Sequence, residues 1–384
     1  MAAGLRTIAT GISLAVALAA GAADAQRVPF SYGKRGDPLL EPRFKVFDIA
    51  WRLPLVERQI LAYRPRELAG PAVDELTGEV VVATSDGRVR LLTSSGREIW
   101  ESSIGAAATG TPLLTDMAVF VGAADGALHA LARFDGAELW SSFLGAEVVE
   151  RPVAVGGTVF VGTDHDAVHA LDEASGEARW VYRRETGSTL TIRGGTGVSE
   201  GDGRIYAGFS DGAVVALAPD DGRILWQAPL AAGDLDKFPD SDAVPVYRDG
   251  TLYVTVFNEG TYALDATNGR VRWQASTRGA TSLRLDGDLL LVGGSDAWAL
   301  DAATGALAWT VDLGRGWTTQ PLVVGKLVVL SGAPGMLFVE RDSGRPLRVF
   351  DPGSSFASQP AARGNDIYAL SNLGYLYALR TALK

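Results

Sequence analysis

Three histidines, an aspartate-rich stretch and nine tryptophans are the residues of this 384-residue chain whose chemistry or size invites a function. His129 and His169 stand at matching positions of two consecutive segments, where Tyr262, Trp298 and Tyr377 stand later in the chain. A slot filled in turn by His, Tyr or Trp is a packing position rather than a ligand set. His165 lies in Asp164-His165-Asp166, a turn that would hold a metal weakly, because a good site needs three or four converging ligands. No Ser/His/Asp order supports acyl transfer, and Gly325-Lys326 is followed by Leu327 rather than the Ser or Thr of a phosphate loop. The chain has no Cys, which excludes a thiolate zinc site, a Cys nucleophile, an iron–sulfur cluster and a disulfide scaffold. No catalytic residue, metal or cofactor is therefore expected.

Two segments do gather groups suited to binding. Leu190 and Ile192 set an apolar pair beside the planar guanidinium of Arg193, a composition suited to an interface anchor. Asp234, Asp236, Asp240 and Asp242 follow with Lys237 and Phe238. The Asp240 and Asp242 carboxylates can hold a basic partner, steer its approach, or clamp Arg193. Plainer readings stand beside these: Leu190 and Ile192 can open a strand, and Asp240 and Asp242 can cap turns.

The elements that position these segments follow from the tryptophans. Six close the pattern Gly-x-x-x-Trp, at Trp100, Trp140, Trp180, Trp226, Trp273 and Trp309. A period near 40 residues signals stacked supersecondary units. Within a unit, Ala118-Val119-Phe120-Val121-Gly122 reads as a strand and Asp125-Gly126 as a hairpin turn. Ala127 to Ala132 is the next strand, Asp135-Gly136 turns again, and Glu138-Leu139-Trp140 opens a further one. With a short strand at Pro112–Leu114, that makes four antiparallel strands per unit. Eight units start, but the seventh closes with Gly344 and Val349-Phe350, and the eighth stops after Tyr375–Leu379 without its last strand. A spare strand, Phe47 to Trp51, carries a Trp where the missing strand needs one. Closing the ring with it removes exposed sheet edges. The expected fold is all-β, an eight-bladed β-propeller of four-stranded antiparallel blades closed by an N-terminal strand. The two longest Trp intervals flank Trp226. Their extra residues, 184–196 and 231–243, lie between the last strand of one blade and the first of the next, so they are neighbours on one face. Long loops on a rigid scaffold favour the interface reading. Trp317 lies outside the repeat position, and packing is the preferred reading for it.

The Gly-x-x-x-Trp closures and the Ala-Leu-Asp strands at 170–172, 263–265 and 299–301 resemble the repeat of pyrroloquinoline-quinone-type propellers. That family has two relevant branches, the quinoprotein dehydrogenases and the outer-membrane protein assembly factor BamB family. Leu190-Thr191-Ile192-Arg193-Gly194 resembles the Leu-x-Leu-Arg-Gly loop of the second branch. Asp240-Ser241-Asp242-Ala243-Val244-Pro245-Val246 resembles its Asp-x-Asp-x-x-Pro-Val loop. The resemblance covers about residues 45 to 380 and implies a non-catalytic scaffold of the outer-membrane β-barrel assembly machinery. It further implies that Leu190, Ile192, Arg193, Asp240 and Asp242 contact the periplasmic domains of the insertase BamA, with the chain a monomer within that complex. Family members are tethered through a lipidated N-terminal Cys; this chain has none, so a direct lipid anchor is not expected.

Arg6 precedes an apolar run, Ile8 to Ala20, and Ala23-Asp24-Ala25 fits a small-x-small cleavage site. Residues 1–25 therefore read as a signal peptide, 26–45 as an N-terminal arm and 46–384 as a single propeller domain. The expected location is the periplasm, at the outer membrane through protein partners. A net charge of −10 argues against nucleic acid as a partner. The alternatives are a quinone- or calcium-dependent periplasmic dehydrogenase, and a periplasmic propeller that binds another protein or a cell-wall polymer.

Overall fold

Short β-branched and alanine-rich runs, broken every few residues by glycine turns, leave no length for a helix and pair with their sequence neighbours. In the computed structural model, which describes residues 26–29, 45–57, 66–185, 195–231, 243–314 and 316–382, every regular element is a strand. Blade 3 shows the unit: Val153–Val155, Thr158–Thr163, Ala167–Asp172 and Ala178–Arg183 pair in order, all antiparallel. Phe160, Ala170 and Trp180 lie side by side across it.

The same meander runs from Ala72–Val73 to Glu98–Ser103 in blade 1 and from Leu113–Leu114 to Glu138–Phe143 in blade 2. Blade 4 runs from Val198–Gly201 to Ile224–Pro229, blade 5 from Val246–Arg248 to Val271–Ala275, and blade 6 from Ala280–Asp286 to Leu307–Asp312. In blade 7 the first strand is split, Trp317–Thr318 and Leu322–Val324 both pairing with Leu327–Ala333 before Met336–Glu340 and Pro346–Phe350. Trp317 is half-buried there, opposite Ala333.

Blade 8 contains the ring closure. Ala361–Arg363, Asp366–Leu370 and Tyr375–Thr381 supply three strands, and Phe47–Pro54 from the other end of the chain pairs antiparallel with the last, Trp51 opposite Ala378. Gln26–Pro29, read from sequence as part of an arm, runs parallel to Leu307–Asp312 as a fifth strand on blade 6.

The middle strands of each blade are buried on both faces, because a neighbouring blade covers each side; this is why they read as unbroken apolar runs such as Val80–Ala83. Outer strands such as Glu138–Phe143 and Ala178–Arg183 alternate, with one face in water. Hydrophobic clusters fill the joints, as where Phe120 and Leu128 of blade 2 meet Val159 and Val161 of blade 3. Each such fully buried side chain contributes about 1.5–3 kcal/mol.

The Gly and Trp of the repeat motif turn out to serve adjacent joints. Each Trp meets the Gly of the next blade: Trp100 packs on Gly136, Trp140 on Gly176, Trp180 on Gly222, Trp226 on Gly269, Trp273 on Gly305 and Trp309 on Gly344. Trp51 of the closing strand packs on Gly96 in the same way. Every one of these indoles also donates from Nε1 to a carbonyl of that next turn, from Trp51 to Ser94 O (3.0 Å) through Trp309 to Arg341 O (2.8 Å). Gly176 shows why no other residue fits: its φ is +73° and a Cβ would lie 2.5 Å from the Trp140 ring.

The joint between blades 7 and 8 is built differently. Arg348 occupies the Trp position, opposite Phe338. Aromatic rings fill the gap instead, with Phe47 stacked on Phe338 at 4.7 Å and edge-on to Phe350, which also meets Phe356 and Tyr377.

Candidate functional site

Connections between blades, and the turns between second and third strands, emerge on one face. On it, the described ends of the two long loops are tied to the blades and to each other. Arg184 follows the outer strand of blade 3. Its backbone N donates to Asp166 O (3.0 Å) and its Nε to Asp211 Oδ2 (2.7 Å) in the turn of blade 4. Its guanidinium also lies over the Phe209 ring at 5.9 Å. Burial works against this charge, but the Asp211 carboxylate and, to a lesser degree, the Tyr182 side chain together outweigh it and hold the guanidinium protonated.

A second clamp runs beside it. Asp166, at φ +50°, accepts from Ser210 N (2.9 Å) and Ser210 Oγ (2.5 Å), locking the turns of blades 3 and 4 together. The first loop returns through Gly195, packed on Val149, and Thr196, whose N donates to Thr163 O (3.2 Å). Gly197 then presses on the backbone of Val244, the far end of the second loop; a Cβ there would lie 2.7 Å from Val244 Cα. At the near end of the second loop, Leu230 N donates to Gly212 O (3.2 Å) and Leu230 O accepts from Tyr262 Oη (3.4 Å). The two loops thus share a bonded platform on blades 3, 4 and 5.

Leu190, Ile192, Arg193, Asp240 and Asp242 themselves lie outside the described residues. Sequence reasoning missed the platform. Asp166 was read only as part of a turn with weak metal potential, and Asp211 and Ser210 carry no motif that announces a partner in another blade.

The histidines sit as a packing slot requires. His129 and His169 are buried, opposite Val121 and Val161, while His165 is exposed on its turn. Burial, with the nearby Arg183 charge, pushes His169 down to about 4. Among the described residues, no three His, Cys, Asp or Glu side chains are grouped to hold a metal. A cavity of about 250 Å³ lies on the opposite face, lined by Thr158, Phe160, Arg179, Glu200, Pro219 and Asp220. Arg179 is tied up there by Thr158 Oγ1 (2.6 Å) and Asp172 Oδ2 (2.7 Å).

Known proteins match this architecture. The chain is 31% identical over 163 residues to outer membrane protein assembly factor BamB of Xanthomonas campestris, covering 41% of this chain and 40% of that protein. It is 30% identical over 216 residues to the protein of that name in Burkholderia pseudomallei, covering 53% and 56%. These alignments span about half the length of the curated relatives. Among solved structures, BamB from Moraxella catarrhalis superposes with a TM-score of 0.74 at 21% identity, covering 87% of this chain and 100% of that one. Quinohemoprotein alcohol dehydrogenase from Comamonas testosteroni superposes with a TM-score of 0.68 at 16% identity, covering 88% and 77%. At these identities both show the fold alone. The family model described as outer membrane protein assembly factor BamB matches residues 85–311 and 293–382, most of the propeller, and on that match the chain belongs to the BamB family.

Proposed function

We propose that the chain is a non-catalytic scaffold of the outer-membrane β-barrel assembly machinery, working as a monomer within that complex in the periplasm. Residues 1–25 serve as its export signal and 46–384 as its propeller domain. The face carrying the two long loops docks the periplasmic domains of a BamA-like insertase. Leu190 and Ile192 bury apolar area, and Arg193, Asp240 and Asp242 fix the register. The observation that supports this best is the contact of Gly197 with Val244, which ties the roots of the two loops that resemble the family's partner-binding motifs. A rigid base under both loops lowers the ordering cost of binding.

The test is calorimetric titration of the purified protein with the periplasmic domains of the insertase. Arg193→Ala with Asp242→Ala should weaken binding about tenfold or more while leaving thermal unfolding nearly unchanged. Unchanged affinity, or a large drop in melting temperature, would make these residues structural. Stoichiometric calcium with a quinone chromophore in the purified protein would instead favour the dehydrogenase reading.

A further inference from the structure

The opposite face, formed by the turns between first and second and between third and fourth strands, carries three large apolar side chains in water. Leu76 is 86% exposed, Met117 78% and Phe134 90%. They come from three turns in two blades, and Arg133 ties those turns together. Its guanidinium bonds Asp74 (2.7 Å) and Glu79 (2.6 Å) and reaches Thr77 Oγ1 (3.3 Å) in blade 1, and donates to Thr115 O (3.0 Å) in blade 2. Its backbone N donates to Met117 O (3.0 Å), and its carbonyl accepts the Trp100 indole. Arg363 of blade 8 secures the far edge, donating to Glu75 O (2.9 Å) and Leu76 O (3.1 Å).

Single exposed apolar residues are ordinary on a protein surface. Three at the tips of cross-linked turns are different, because the fold spends no burial on them and yet holds them in place. Each has an exposed acid as its chain neighbour: Glu75 before Leu76, Asp116 before Met117 and Asp135 after Phe134. Arg133 is paired within the fold with Asp74 and Glu79, and Arg363 adds a second cation at the edge, but the carboxylates of Asp74, Glu75, Glu79, Asp116 and Asp135 outnumber these two guanidiniums and leave the rim of the patch net acidic. Such a rim repels an anionic lipid surface and attracts cationic side chains.

We propose that Leu76, Met117 and Phe134 form a docking site for a polypeptide segment that interleaves apolar anchors with Lys or Arg. The site lies on the face opposite the two long loops, does not depend on their role, and lets one propeller hold two partners at once.

A labelled leucine–lysine peptide of helical period, titrated with the full-length protein and followed by fluorescence anisotropy, tests this. Saturable binding is expected, weakened about tenfold or more by Leu76→Ser/Met117→Ser/Phe134→Ser, with the melting temperature unchanged because all three side chains are in water. Phe143→Ser, also 78% exposed but at the other end of its blade, should bind as the parent does. A leucine–glutamate peptide should fail to bind. The proposal is overturned if the triple variant binds as the parent does, or if the acidic peptide binds equally well. It is also overturned if the triple substitution abolishes binding to phosphatidylglycerol vesicles, or dissolves a dimer seen by sedimentation, because the patch would then serve a membrane or a second copy.

Discussion

At the residue scale, the molecule is decided by pairs that lie far apart in sequence. Trp309 is only 1% exposed, packs on Gly344 and donates to Arg341 O. Trp309→Ala should cost about 3–5 kcal/mol in urea unfolding; a loss below about 1 kcal/mol would show that the joint closes without it. Titratable groups add two separate acid windows. His169 is held down to about 4 from an ordinary 6.5, so below pH 6.5 the unfolded chain binds the proton first and stability falls as pH drops towards 4. Asp74 is lowered from 3.8 to about 2, first by the Thr77 backbone N–H and then by Arg133 against the opposing effect of burial. Its contribution is complete above pH 3.8 and is lost as pH falls towards 2. Urea midpoints measured against pH should lose the first slope in His169→Phe and show a shallower second slope in Asp74→Asn, since Asp172 and Asp265 are lowered to about 2 as well; slopes unchanged from the parent would assign acid sensitivity elsewhere. The repeat motif was legible because Trp is rare enough, at nine residues, for its period to stand out, with a Gly four positions before it in six cases. That each Gly serves the Trp of the preceding blade was not, because nothing in a one-dimensional spacing distinguishes a contact within a unit from one between units.

At the scale of elements, blades of nearly identical design differ where the chain does something else. Blade 7 has Arg348 in the Trp position and borrows Phe47 from the N-terminal strand to fill its joint with aromatic rings. The imperfect close of blade 7 was visible in the sequence, as were the missing last strand of blade 8 and the spare strand at the other end of the chain, from which the ring closure follows. The pairing of Gln26–Pro29 with blade 6 was not visible, since a parallel backbone pairing four residues long leaves no side-chain pattern. The loop platform was hidden for a related reason: Asp166, Ser210, Arg184 and Asp211 meet only after two blades have been set side by side. Asp211→Ala should therefore leave the fold intact but loosen the Arg184 clamp, raising amide hydrogen exchange at Arg184, whose N–H donates to Asp166 O, more than in blades 6 to 8. Equal exchange in parent and variant would show that the Arg184–Asp211 pair does not hold that junction.

At the scale of the whole molecule, a closed ring makes stability depend on its last joint. Removing residues through Pro54 deletes the fourth strand of blade 8, together with Trp51 and Phe47, and should abolish the single cooperative calorimetric transition. Removing residues only through Pro29 uncovers one blade edge and should shift the transition little. Equal effects of the two truncations would contradict the closure. The rigid ring sets two faces apart, one with the long loops and one with the Leu76, Met117 and Phe134 patch, which is an arrangement suited to a scaffold. The most direct test of that account is photo-crosslinking in cells from residue 190 or 193. The account predicts an adduct with the BamA-like insertase from both positions. Capture of a different protein, with no insertase adduct, would contradict it.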